Sequence, residues 1–258
     1  MRETPHKPFQ PILLLALPIL LLNFTPSDLL AAEPDGQWHL DANLGLWGLA
    51  ADGTVGVGRV QADVDLSFSD LIEHTNFAAM GGIELTKSNW VVDFNGIYAE
   101  LSGNESGPRD LVDIDVDAQM GIADLAVGYT LVRTKLGTMP LTLTPALGVR
   151  YTYLSLELDP ERLRSVSNHE DWWDPYVGGR VVLSLTPNLN WRTEGTIGGF
   201  SVGSDLTWSA ATYLDWKLSK SITLNIGYRA LAWDFENANF EWDITMHGPW
   251  LGLTINLF

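Results

Sequence analysis

Cysteine is absent from this chain of 258 residues. Without a thiol there can be no disulfide framework, no thiol catalysis, no cysteine metal site and no lipid anchor on cysteine. Basic residues are also scarce, with 15 Lys and Arg against 32 Asp and Glu, which gives a formal net charge of −17. Because phosphate backbones are bound by clusters of Lys and Arg, this charge argues against nucleic acid as a partner.

Long apolar runs are missing after the first 32 residues. Residues 11–22 form an apolar run, preceded by basic residues, interrupted by Pro18 and followed by Leu30-Ala31-Ala32. The run is shorter than the roughly 20 residues that a spanning helix needs, so it predicts a secretory signal peptide over residues 1–32 rather than a membrane anchor. Residues 33–258 are then expected to form one domain, in which any membrane insertion must use strands.

The clearest pattern in the chain is alternation at its C-terminus. From Leu251 onward every second residue is aliphatic, and the positions between hold Gly252, Thr254 and Asn256. A period of two indicates a strand with one apolar and one polar face. A last strand needs a neighbour on each side, and pairing with the first strand to close a barrel provides one.

Comparable segments recur along the chain, and most are long enough, at roughly 10 to 15 residues, to cross a bilayer when tilted. They predict an all-β fold, a closed antiparallel up-and-down transmembrane barrel of about ten strands, with eight as the alternative. Changes in the phase of alternation suggest a bulge near Ala123 and a kink at Gly248-Pro249. The segments are 38–50, 77–87, 90–102, 112–132, 141–156, 176–185, 189–202, 206–218, 222–235 and 241–258.

Most connections between these segments alternate in length, and the exceptions are 203–205 and 236–240, which belong to the long side by parity but are short. Residues 51–76, 103–111 and 157–173 are long and mostly acidic, with a short helix suggested at 69–73, whereas the connections between them are short. Outer-membrane barrels have short periplasmic turns and longer outer loops. Aromatic residues also fall near both strand ends, as in interfacial girdles: Trp90, Trp191 and Trp216 at the short turns, and Tyr98, Tyr153, Trp208 and Trp242 opposite.

Several segments carry a family resemblance. A last strand that ends on Phe258 resembles the closing strand of bacterial outer-membrane β-barrel proteins, which implies recognition by the barrel assembly machinery. Residues 63–70, 174–180, 198–205 and 227–229 resemble uncharacterised members of that group, the small outer membrane protein A-like barrel superfamily. The resemblance implies export through the periplasm and location in the outer membrane, with its lipid and lipopolysaccharide as partners. It implies no reaction.

If the aliphatic residues face lipid, the opposite faces of the strands line the lumen. Paired charges would then form a structural network in a largely plugged barrel, and the alternative is a narrow porin for small polar solutes. The rival outside the membrane is a soluble lipocalin-like barrel with its apolar face inside. The predicted lumen-lining residues are Asp41, Glu84, Asp93, Arg150, Arg180, Arg192, Glu194, Asp215 and Arg229.

An enzyme is the third class of function. Ten-stranded outer-membrane proteases exist, and resemblance to them would imply acidic and histidine residues near the outer rim. His169 precedes Glu170 and Asp171 in a long connection, His74 lies in the first one and His247 lies on the last strand, but no motif fixes their geometry. We therefore expect no catalysis, no cofactor and no dedicated metal site, although the alternating Asp113, Asp115 and Asp117 could share an ion.

Overall fold

The computed structural model describes residues 36–57, 60–106, 113–160 and 166–258. The signal peptide predicted for residues 1–32 lies outside these ranges. Within them, no helix is both long and apolar enough to cross a membrane, a finding that does not bear on crossing by strands. The elements are β1 (Trp38–Trp47), β2 (Ala50–Val57), β3 (Val60–Leu66), α1 (Phe68–His74), β4 (Thr75–Lys87), β5 (Trp90–Ser106), β6 (Asp113–Tyr129), β7 (Val132–Leu136), β8 (Met139–Pro160), β9 (Val166–Thr186), β10 (Leu189–Gly199), β11 (Leu206–Lys217), β12 (Ile222–Glu236) and β13 (Phe240–Asn256).

These strands form a closed antiparallel barrel with ten strands around its wall, which confirms the predicted fold. The wall runs in the order β1, β4, β5, β6, β8, β9, β10, β11, β12 and β13, and β13 pairs again with β1. The remaining strands extend this wall: β2 continues β1 along β13, β7 continues β6 along β8, and β3 forms a hairpin with β2. The seam carries one register from Asp41↔Asn256 to Val57↔Phe240.

The phase changes in the sequence have a different cause from the one predicted. β6 pairs without a shift from Ile114 to Gly128 along β8, and β12 pairs without a shift along the whole of β13. The prediction of a bulge near Ala123 was therefore wrong, and the kink predicted at Gly248-Pro249 does not interrupt the register of β13. The register of β6 and β7 against β8 changes only between Gly128 and Val132.

What changes along the strands is the face that is apolar. In the half of the barrel near the short turns, exposed aliphatic and aromatic side chains point outward and form an apolar belt. In the half near the long connections, the loop half, apolar side chains point inward instead. The belt comprises Leu44, Leu46, Ile83, Val92, Phe94, Leu125, Val127, Leu147, Val177, Val181, Ile197, Leu214, Ile226, Leu251 and Leu253.

β12 shows both halves in one strand. Its inward side chains are polar at the short-turn end (Thr223, Asn225 and Arg229) and apolar and buried in the loop half (Leu231, Trp233 and Phe235). Its outward side chains change in the opposite sense, from the apolar Ile222, Leu224 and Ile226 to the exposed Asp234 and Glu236. The inward apolar residues of the loop half pack into one cluster, here called the apolar layer. Its members are Ile97, Met120, Ile122, Leu154, Trp172, Leu231, Trp233, Phe235, Phe240, Ile244 and Met246.

Aromatic side chains mark the short-turn edge of the belt, where Trp90, Trp191 and Trp216 are exposed as predicted. Trp242 differs from its prediction as an outward girdle residue. It faces inward and packs against the apolar layer, because its neighbours on the same face of β13 are the buried Phe240 and Ile244.

Candidate functional site

Below the apolar layer the barrel encloses a polar cavity of about 410 Å³. The inward positions of successive strands bring charged side chains to it from around the wall, since each strand contributes every second residue. All nine side chains predicted to line a lumen line this cavity, and so does Asp124, which the prediction omitted. The set Glu84, Asp93, Asp124, Arg150, Arg180, Arg192, Glu194, Asp215 and Arg229 is called the charged layer below.

Two arginines of the charged layer share carboxylates. Arg180 bonds to Glu84, and its Nε lies 3.3 Å from Glu194 Oε2. Arg192 donates from Nη1 to the same oxygen at 3.1 Å and from Nε to Asp215 Oδ2 at 2.8 Å. Because Glu194 joins both guanidinium groups, these two arginines and their carboxylates form one connected network rather than separate pairs.

Arg150 lies at the top of the charged layer, with only 2% of its surface exposed. Its Nε donates to Asp124 Oδ1 at 2.8 Å, and its Nη1 donates to Thr207 Oγ1 at 2.9 Å. Its guanidinium also lies 5.9 Å from the ring of Trp233, which belongs to the apolar layer. Arg150 and Asp124 therefore form the boundary between the two layers.

Asp41 lies at the barrel seam and also lines the cavity. Its Oδ1 accepts from Asn256 Nδ2 at 2.9 Å, across the pair formed by the first and last strands. Phe258 lies just beyond this pair with its side chain exposed, and its carbonyl oxygen accepts from the Leu40 amide at 3.0 Å. Its role as an assembly signal stays a prediction.

A buried carboxylate near the cavity was not singled out from the sequence. Asp174 on β9 is completely buried and forms no ion pair within the described residues. Its Oδ1 accepts from the amide and hydroxyl of Ser204 at 2.7 and 2.8 Å, and its Oδ2 accepts from Trp172 Nε1 at 2.9 Å. These bonds fix the turn between β10 and β11 to the wall, so the role of Asp174 is structural.

His169 and His247, two of the histidines considered for catalysis, lie apart from the cavity. His247 faces outward on β13, where Nε2 lies 2.8 Å from Asp52 Oδ2 and Nδ1 lies 2.6 Å from Tyr228 Oη. His169 is exposed on β9, and the adjacent Glu170 faces the other side of the wall and accepts from Asn237. The side chains of His74, Asp113, Asp115 and Asp117 lie outside the described part of the chain. The residues that are described contain no group of His, Asp and Glu suited to a metal ion.

Comparisons with known proteins identify the fold alone. No family model matches the sequence, and no curated protein is significantly similar to it. The outer membrane protease OmpT from Escherichia coli is 10% identical, with a TM-score of 0.50 over 87% of this chain and 97% of that chain. The attachment invasion locus protein Ail of Yersinia pestis is 12% identical, with a TM-score of 0.34 over 85% of this chain and 98% of that chain.

A major outer membrane protein from Thermus thermophilus is 13% identical, with a TM-score of 0.37 over 84% of this chain and 99% of that chain. The scores for this protein and for Ail are too low to carry an argument. The likeness to OmpT shows that the chain has the fold of an outer-membrane β-barrel protein, and it transfers no activity.

Proposed function

We propose that this protein is an integral barrel of the bacterial outer membrane whose lumen is closed, with a structural or surface role. The outward apolar belt supports membrane insertion, because soluble monomers rarely expose apolar patches of such extent. The outward residues of the loop half include Asp52, Asp234 and Glu236, which are exposed and suit the aqueous face above the lipid.

The observation that carries the proposed closure is the apolar layer. Leu231, Trp233 and Ile244 extend into the interior from adjacent strands and retain 0%, 2% and 1% of their exposed surface. A close-packed cluster of this kind leaves no room for a hydrated solute. The narrow porin is the alternative, and it would require a polar path around this cluster.

We propose no catalysis for this chain. The Asp52, His247 and Tyr228 group faces the outer wall, whereas the charged layer faces the interior, so the two sets of polar groups cannot act on one substrate. Three of the four arginines in the charged layer are held in ion pairs, and the layer contains no histidine among its members.

Conductance in planar bilayers tests the closure. We expect the wild-type protein to give no steps, and we expect the double variant Trp233→Ala/Phe235→Ala to give small reproducible steps, because it removes two buried rings from the apolar layer. Trp216→Ala is the matched control, since that ring faces outward and its loss leaves the interior filled. Steps in the wild type with a selectivity altered by Arg180→Ala would instead support the narrow porin.

A further inference from the structure

Arg229 differs from the other arginines of the charged layer. Arg150, Arg180 and Arg192 each have a carboxylate partner. In the described part of the chain Arg229 has neither an ion pair nor a hydrogen-bond acceptor, and its guanidinium lies 5.0 Å from the ring of Trp47. Arginine stays charged in proteins, so its N–H groups are available to an acceptor that enters the cavity.

The wall beside Arg229 is aromatic and is built by glycine. Trp250 and Tyr213 line the cavity with their rings in edge contact, 6.3 Å between centroids. A Cβ at Gly45 would lie 2.1 Å from the Trp250 ring, and one at Gly252 would lie 2.6 Å from its Nε1. The indole therefore fits only because both neighbouring positions lack a side chain. The cavity thus offers an arginine without a salt bridge among the described residues, next to the ring of Trp250.

The cavity is closed on one side and extends toward the other. Leu231, the next inward residue of β12, covers Arg229 on the loop side and is completely buried. Toward the short turns the lining continues to Asn190, Lys217 and Thr223, and Lys217 is exposed. A ligand would therefore reach Arg229 from the short-turn end. This direction of access rests on the closure proposed above.

We propose that the cavity binds a small organic monoanion, a carboxylate attached to a ring. The planar guanidinium of Arg229 matches a carboxylate in a two-bond arrangement, and the ring of the ligand would pack on Trp250. Tyr213 supports Trp250 from the side, because its own ring is buried and is covered by the Arg192 guanidinium at 4.1 Å. A single charge suits the site, because six carboxylates line the cavity against four arginines and Lys217, which disfavours anions of higher charge. A volume of about 410 Å³ is within the range of small-molecule sites.

Calorimetric titration of the full chain in a neutral detergent tests the proposal with benzoate as the probe. We expect saturable binding to the wild type, and binding weaker by at least about tenfold for the neutral isostere benzamide and for Arg229→Gln. Arg229→Gln leaves no carboxylate without its partner, so its fold should persist. Arg133→Gln is the control of equal charge, because Arg133 bonds to Asn89 at the short-turn end and lies outside the cavity. Arg229→Lys should restore only part of the affinity.

Three results would overturn the site: equal benzoate affinity in the wild type and Arg229→Gln, no wild-type binding up to about 10 mM, or equally strong displacement by sulfate, which carries two charges. A gel that compares heated and unheated samples shows whether Arg229→Gln is folded. If it is not folded, the benzoate affinity of Arg229→Lys tests the site instead. A barrel that conducts and still binds benzoate through Arg229 refutes the closure alone. A barrel that shows no conductance and does not bind benzoate refutes the site alone.

Discussion

At the scale of single residues, substitution of Arg150 is expected to have the largest effect on the stability of the fold. Arg150 is an ion that lies almost wholly out of water, and Asp124 compensates its charge at 2.8 Å. Removing one partner of such a pair leaves an uncompensated buried charge, whereas replacing both with apolar groups of similar volume is often neutral.

We expect Arg150→Met to lower the free energy of unfolding by about 3–5 kcal/mol, because Asp124 loses its partner. The double variant Arg150→Met/Asp124→Leu should recover most of that loss. Urea unfolding in lipid vesicles, followed by tryptophan fluorescence, measures both. If the double variant were as unstable as the single one, the pair would be stabilising in itself and the reasoning from desolvation would be wrong.

At the scale of elements, each long strand carries two amphipathic patterns of opposite sense. The sequence of β13 places Trp242, Ile244 and Met246 at even positions and Leu251, Leu253 and Ile255 at odd positions. Periodicity shows that a strand has an apolar face, but it does not show which side of the wall that face occupies. A register break and a change of surroundings therefore give the same sequence pattern, and only the continuous ladder identifies the change of surroundings.

Arginine substitutions on the outward face of β12 test where the lipid ends. Ile226→Arg lies in the apolar belt and should cost about 2–4 kcal/mol in vesicles, as a charge placed against hydrocarbon does. Asp234→Arg, on the same face in the loop half, should change stability by less than about 1 kcal/mol. Equal costs at the two positions would show that the belt does not coincide with the bilayer.

At the scale of the whole molecule, the absence of cysteine makes the orientation of the barrel easy to test. We expect Ala238→Cys, in the exposed turn between β12 and β13, to react with a membrane-impermeant maleimide on intact cells. Lys220→Cys, in the exposed turn between β11 and β12, should react only after the outer membrane is permeabilised. The opposite labelling would invert the orientation, and labelling of neither variant on intact cells would contradict exposure of the loop half.

Much of the fold was predictable from the sequence, because alternation and connection length together define an up-and-down barrel. The ten wall strands were all anticipated, though β9 begins at Val166, ten residues before its predicted start at Tyr176. The short helix predicted at residues 69–73 is present as α1.

The interior was less predictable. The nine predicted side chains converge because, on strands whose outward face forms the apolar belt, the polar residues point inward. The apolar layer could not be foreseen, since Leu231, Trp233 and Phe235 have the composition of a lipid-facing stretch. Asp124 was omitted because it lies where the alternation changes phase, so that its side of the wall could not be assigned from pattern alone.

The uninterrupted register of β12 and β13 limits which insertions and deletions the gene can tolerate. Deletion of one residue within either strand would move every side chain on one side of the deletion to the opposite face of the wall. Buried rings of the loop half would then meet water, or charges of the short-turn half would meet lipid, and no local repacking corrects a change of parity. Losing two codons preserves parity and only shortens the wall. Length variation within these strands should therefore occur in steps of two, whereas the turns are free to vary by one.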